Sequence, residues 1–126
     1  MRIEEALPYY LRVKAVFLEL PPFERHRAEY LDDEAFRKLQ SLLMIHPEAG
    51  DLIPGTGGLR KLRFTDDRRG KGKRGGLRVI YYWWDVGSQF WLFTVYDKDE
   101  MVDLTSLQRK ALKEMIKNEL EARRKR

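Results

Sequence analysis

The sequence predicts an α+β domain with the element order β-α-α-β-β-β-α, its four strands forming a mostly antiparallel sheet with helices packed on one face. Three observations carry that expectation. Apolar residues recur at helical spacing through Phe36, Leu39 and Leu43. Runs rich in β-branched and aromatic residues then follow one another between Leu59 and Tyr96, and an amphipathic stripe closes the chain. Strands clustered after a helical hairpin argue for α+β rather than for alternating βαβ units.

Taken in order, residues 14–19 (Lys-Ala-Val-Phe-Leu-Glu) read as a short strand that Pro21-Pro22 stops. Phe23 to Leu31 reads as a short helix, with Phe23, Arg27 and Tyr30/Leu31 at helical spacing. Asp32-Asp33 caps the second helix, whose stripe is Phe36, Leu39, Leu42 and Leu43, and His46-Pro47 ends it because a residue before proline is pushed out of the α region. Gly55-Thr56-Gly57-Gly58 reads as a tight turn. Leu59 to Thr65 alternates, setting Leu59, Lys61 and Arg63 on one face and Arg60, Leu62 and Phe64 on the other. Leu77 to Trp84 is apolar almost throughout, as a strand covered on both sides should be. Asp85 to Gln89 turns the chain into the next strand, Phe90 to Tyr96. Thr105-x-x-Gln108 is a capping box, and the helix it opens carries Leu107, Ala111, Leu112, Met115, Ile116 and Leu120 as its apolar stripe. The expected organisation is an N-terminal extension over residues 1–12, one domain over 13–120 and a basic tail over 121–126.

A chain of 126 residues holds one domain. It has no cysteine, which excludes thiolate chemistry and disulfides and fits a reducing, cytoplasmic setting. The longest apolar run, Val79 to Trp84, is far too short to span a bilayer, and no membrane partner is expected. The net charge is +5, but residues 60–78 alone hold nine basic residues and two acids, a net +7. The last 18 residues add eight bases and three acids, so the rest of the chain is acidic. A field concentrated in this way favours a polyanion, most commonly nucleic acid.

The residue types narrow the chemistry. His26 and His46 have no matched acidic partner, and the acids sit mainly in helices with no spacing for a metal pair. The glycine-rich turn lacks the Lys-Ser/Thr of a phosphate loop and precedes a strand. The serines have no triad context. No cofactor and no metal are expected. Lys and Arg on strands beside tyrosines remain, and that set can cleave RNA, whose 2′-hydroxyl is a built-in nucleophile next to its own phosphodiester. The protein has to align the backbone, accept one proton, stabilise the phosphorane and donate another proton. Arginine matches two phosphate oxygens with its planar fork. From the residues alone the reading is a nucleic-acid binder with the makings of an RNase.

The stretch His46-Pro47-Glu48-Ala49-Gly50-Asp51-Leu52-Ile53-Pro54-Gly55-Thr56-Gly57-Gly58-Leu59-Arg60-Lys61 resembles the HigB-type toxins of the RelE/ParE superfamily. The resemblance continues through Gly70 to Tyr82 and again from Tyr96 to Leu104, and in all it covers about residues 13–118. It implies a RelE-like fold and a type II toxin that enters the ribosomal A site and cuts mRNA there as a metal-independent endoribonuclease. It further implies a cognate, HigA-like antitoxin, with the complex binding operator DNA through that antitoxin.

Carried over by position, the resemblance implies catalytic roles for Lys61 and Arg63 on one strand, Arg78 on the central strand, Tyr96, and Lys98 just past the last strand. Arg78 would stabilise the phosphorane, and Lys61 or Lys98 would transfer protons. Arg60, Arg68, Arg69, Lys71, Lys73 and Arg74 would grip RNA. Two other functions remain open on the sequence: a ParE-like gyrase inhibitor that cuts nothing, and a non-catalytic RNA-binding regulator of translation. Residues 1–12 and the pair Asp66-Asp67 depart from the family pattern.

Overall fold

The computed structural model describes residues 15–65, 76–100 and 104–124. Strand β1 (Val16–Glu19) leads into α1 (Pro21–Tyr30) and α2 (Asp33–Ile45), then β2 (Asp51–Leu52), β3 (Arg60–Phe64), β4 (Leu77–Trp84), β5 (Gln89–Asp97) and α3 (Ser106–Arg124). The strands form one five-stranded sheet in the order β1-β5-β4-β3-β2. β1 runs parallel to β5 and every other pairing is antiparallel.

The sheet thus has five strands, one more than the sequence predicts. Asp51 and Leu52 pair with Lys61 and Arg60, so the glycine turn closes a hairpin rather than simply preceding a strand. Thr56, fully buried, ties that turn shut. Its hydroxyl donates to the Ile53 carbonyl at 2.6 Å and accepts from the Leu59 N–H at 3.2 Å. A two-residue strand offers too little alternation to be seen in a sequence.

A second correction concerns the layers. Helices cover both faces of the sheet, not one. Phe23 of α1 and Ala35, Leu39 and Leu43 of α2 pack with Leu62, Phe64, Leu77, Val79, Tyr81, Phe90, Leu92 and Val95. Ile116 of α3 packs on the other side with Leu59, Ile80, Trp91, Phe93 and Tyr96. Strands β4 and β5 are apolar on alternate residues of both parities, so leaving one side open would expose a large apolar surface to water. Leu107 and Ala111, expected in the α3 stripe, are exposed, Leu107 at 76%; Leu112, Met115 and Leu120 are half-buried and Ile116 is buried.

Local chemistry sets the helix ends. Pro21 and Pro22 do not merely stop β1; they form the first turn of α1, where a missing N–H costs nothing and a fixed φ suits the helix. Asp32 caps α2 as expected, its carboxylate accepting from the Ala35 N–H at 2.8 Å. Thr105 and Gln108 exchange reciprocal hydrogen bonds at the start of α3. The guanidinium of Arg27 donates to Glu19 at 2.8 Å and lies 4.6 Å from the Phe36 ring centre, joining β1, α1 and α2.

Helix α3 continues through Arg124, so the first residues of the expected tail are helical. Arg123 lies over Trp91 at 4.5 Å and Trp84 at 5.4 Å and pairs with Glu119, clamping the helix end onto the sheet.

Tyr81 is the polar anchor of the α1–α2 side. Its hydroxyl donates to the Pro47 carbonyl at 2.8 Å and accepts from the Gly50 N–H at 3.0 Å. Position 50 has to be glycine because a Cβ there would lie 2.9 Å from the Tyr81 ring. Replacing Tyr81 with Phe leaves two polar backbone groups without that partner. A loss of about 1–3 kcal/mol in urea denaturation is the expected result, with the secondary structure retained.

Candidate functional site

Residues Leu62 and Phe64 of β3 enter the α1–α2 core, so Lys61 and Arg63 face the α3 side. The same alternation on β4 puts Arg78, between buried Leu77 and Val79, on the α3 side too. Register then brings the residues together. Arg63 is directly opposite Arg78, and Arg78 is directly opposite Tyr96. Directly opposed Cβ atoms in such a sheet are about 4.5–5.5 Å apart, and a diagonal neighbour such as Lys61 to Arg78 is about 7–8 Å away. Arg63, Arg78 and Tyr96 therefore form one row across three strands, with Lys61 in the next row.

Tyr96 owes its place to an irregularity. The pairing slips by one residue between Ile80 and Tyr81, since Ile80 faces Thr94 while Tyr81 faces Leu92. Phe93 is the extra residue, a β-bulge that resets the alternation of β5. Without it, Tyr96 would share the α1–α2 face with Leu92. Tyr96 is only 5% exposed, so it forms the buried flank of the row rather than a surface a base could stack on.

Lys98 follows β5 in a turn whose backbone is well fixed. The Lys98 N–H donates to the Gly76 carbonyl at 3.3 Å, beside the start of β4. Asp97 accepts from the Asp99 N–H at 2.8 Å, and Glu100 accepts a hydrogen bond from the Tyr30 hydroxyl of α1. Sequence reasoning missed Tyr30 and Glu100 as supports of this turn, because residues 70 positions apart leave no local signal. It also passed over Asp51, an exposed acid directly opposite Lys61 on the same face.

Arg60 is not part of this face. It points to the α1–α2 side, where it donates to the Gly50 carbonyl at 2.8 Å and pairs with Glu48 at 3.4 Å, holding the loop before β2. Arg68, Arg69, Lys71, Lys73 and Arg74 lie outside the described residues. His26 pairs with Glu29 at 3.7 Å on an exposed surface of α1. His46 lines a cavity of about 550 Å³ with Trp83 on the opposite face of the sheet, away from the row. Among the described residues no group of His, Asp and Glu is placed to hold a metal ion, and no helix is long and apolar enough to cross a membrane.

Among the described residues, Tyr30, Tyr81 and Tyr82 have raised pKa values. Burial, reinforced by the hydrogen bond and charge of Glu100, pushes Tyr30 well above the usual range. Burial raises Tyr81 against the opposing pull of the Gly50 N–H, and burial with nearby Asp85 raises Tyr82. A phenol whose folded pKa exceeds its unfolded value contributes stability that is fully present below about pH 10 and is lost as pH rises beyond it. Phenolate absorbance should therefore show a late-titrating class that ionises together with unfolding. Tyr30→Phe is expected to remove one member of that class. Ionisation of every tyrosine near pH 10 with the fold intact would contradict the placement.

No protein-family model matches the sequence. Among solved structures, the chain is similar to E. coli toxin RelE in the free state, in a doubly substituted mutant. The identity is 11% and the TM-score 0.48, over 70% of this chain and 87% of that one. It is also similar to the intact E. coli RelBE toxin–antitoxin complex at 16% identity and a TM-score of 0.48, over 67% of this chain and 96% of that one.

Proposed function

We propose that the chain is the toxin of a type II toxin–antitoxin pair, a HigB-type endoribonuclease that cuts mRNA in the ribosomal A site and so stops translation in the cytoplasm. The observation that carries the reading is the pairing of Arg63 with Arg78 across two adjacent strands. Like charges directly opposite one another destabilise a sheet. A phosphodiester lying across both guanidiniums offsets that repulsion with charge-assisted hydrogen bonds. The motif running from His46 to Lys61 supports the same reading.

Arg63 and Arg78 would grip the non-bridging oxygens and stabilise the charge that builds on them in the phosphorane. Lys61 and Lys98 would divide the proton transfers. One neutral amine takes the proton of the 2′-hydroxyl as its oxygen attacks phosphorus. The bond to the 5′-oxygen breaks, and the other amine, as its ammonium, protonates that oxygen. A 2′,3′-cyclic phosphate and a 5′-hydroxyl result, with no metal in the reaction. Tyr96 acts as a positioning residue at the flank of Arg78. Arg68, Arg69, Lys71, Lys73 and Arg74 would contact RNA. A HigA-like antitoxin would hold the protein inactive and carry the pair to operator DNA.

Cell-free translation with the purified protein, followed by primer extension on the mRNA, tests this reading. Cuts are expected only on translated mRNA, and Arg78→Ala should reduce them by about 100-fold or more, the usual cost of losing one transition-state donor. Intact mRNA with the wild-type protein would overturn the reading and turn attention to gyrase supercoiling, while RNA binding without cleavage would favour a regulator.

A further inference from the structure

Helix α3 carries a cationic flank that the Arg63–Arg78 row does not use. At 3.6 residues per turn, Lys110, Lys113, Lys117 and Arg124 fall within an arc of roughly 60° and extend about 21 Å along the axis. All four are exposed. Lys113, Lys117 and Arg124 form one wall of a groove of about 340 Å³, with Gly57 opposite, Ile116 at its apolar base and Glu121 as its acid.

The other wall is built to leave room. Gly57 has φ +80, and a Cβ there would meet the Lys113 side chain at 3.8 Å. A larger residue would be strained and would narrow the groove. The turn that carries Gly57 is fixed by the two hydrogen bonds of Thr56. The groove lies on the same side of the sheet as the row. It opens on the α3 side of the sheet, where Leu59 is buried. From Leu59, Lys61 and Arg63 follow on the same face at steps of about 7 Å along β3. Three cations against one acid, on the side of the sheet that carries the two arginines, suit an extended chain of phosphates.

We propose that the groove between α3 and the Gly55–Gly58 turn binds the phosphate backbone of RNA, on the side of the sheet that carries Arg63 and Arg78. The proposal rests on the RNA reading of that row and adds a binding surface to it. The phosphates could belong to single-stranded RNA or to ribosomal RNA, and the two are separable by experiment.

The test compares the wild type, the triple variant Lys113→Gln/Lys117→Gln/Arg124→Gln and Arg78→Gln. Binding to a labelled single-stranded RNA oligonucleotide and to vacant ribosomes is measured over a range of salt concentrations. Glutamine is a good helix former, so α3 should persist, and circular dichroism checks that. Each lost phosphate contact lowers the slope of log K against log salt by about 0.7 on single strands, so the triple variant should lose about 2. Loss on the oligonucleotide assigns the groove to single-stranded RNA, and loss on ribosomes alone assigns it to ribosomal RNA. Slopes unchanged in the triple variant but reduced by Arg78→Gln overturn the groove and leave the row standing; the flank then belongs to a protein partner or to solvent. A wild type that binds neither RNA nor ribosomes overturns both.

Discussion

The extra residue in β5 is the constraint on which the arrangement depends. Phe93 and Thr94 both lie on the α3 side, so the strand that enters with Phe90 and Leu92 toward α1 and α2 leaves with Tyr96 turned the other way. Val95 can then complete the first core while Tyr96 closes the second. One slip of register thus satisfies two apolar layers and sets a tyrosine beside Arg78. Bulges often serve in this way to re-aim a side chain next to a functional surface.

Around that frame, polar contacts are used sparingly and at the joints. Tyr81 and Arg60 hold the loop before β2 to the α1–α2 face, and through it fix the hairpin that brings Asp51 alongside Lys61. Tyr30 and Glu100 fix the turn that carries Lys98. Arg123 secures the far end of α3 against two tryptophans. Most of these contacts span elements that are distant in sequence. On the α3 side of the sheet Arg63 is exposed and Lys61 and Arg78 are half-buried, beside the apolar core that α3 covers.

Much of this was legible in the sequence. Helix caps and the alternation of β3 are local, so Asp32, Thr105 and Gln108, and the facing of Lys61 and Arg63, could be read directly. The side on which α3 packs was not legible, although the two-sided apolar pattern of Leu77 to Trp84 already required a second cover. Nor was the two-residue strand at Asp51–Leu52, whose pairing depends on the turn closing behind it. The composition of the candidate site was readable as residue types, but its geometry was not. Nothing in the order of residues says that Arg63 stands opposite Arg78, since register is set by packing on both sides of the sheet. Simple alternation would have sent Tyr96 to the wrong face.

The proposed chemistry needs the 2′-hydroxyl as nucleophile, and that choice of nucleophile leaves a chemical mark on the product. Determining the ends of the RNA fragments made on translating ribosomes tests it most directly. A 2′,3′-cyclic phosphate or its 3′-phosphate hydrolysis product, with a 5′-hydroxyl on the downstream fragment, is the expected result. A 3′-hydroxyl with a 5′-phosphate would mean that water attacks instead, and would contradict the role given to this face.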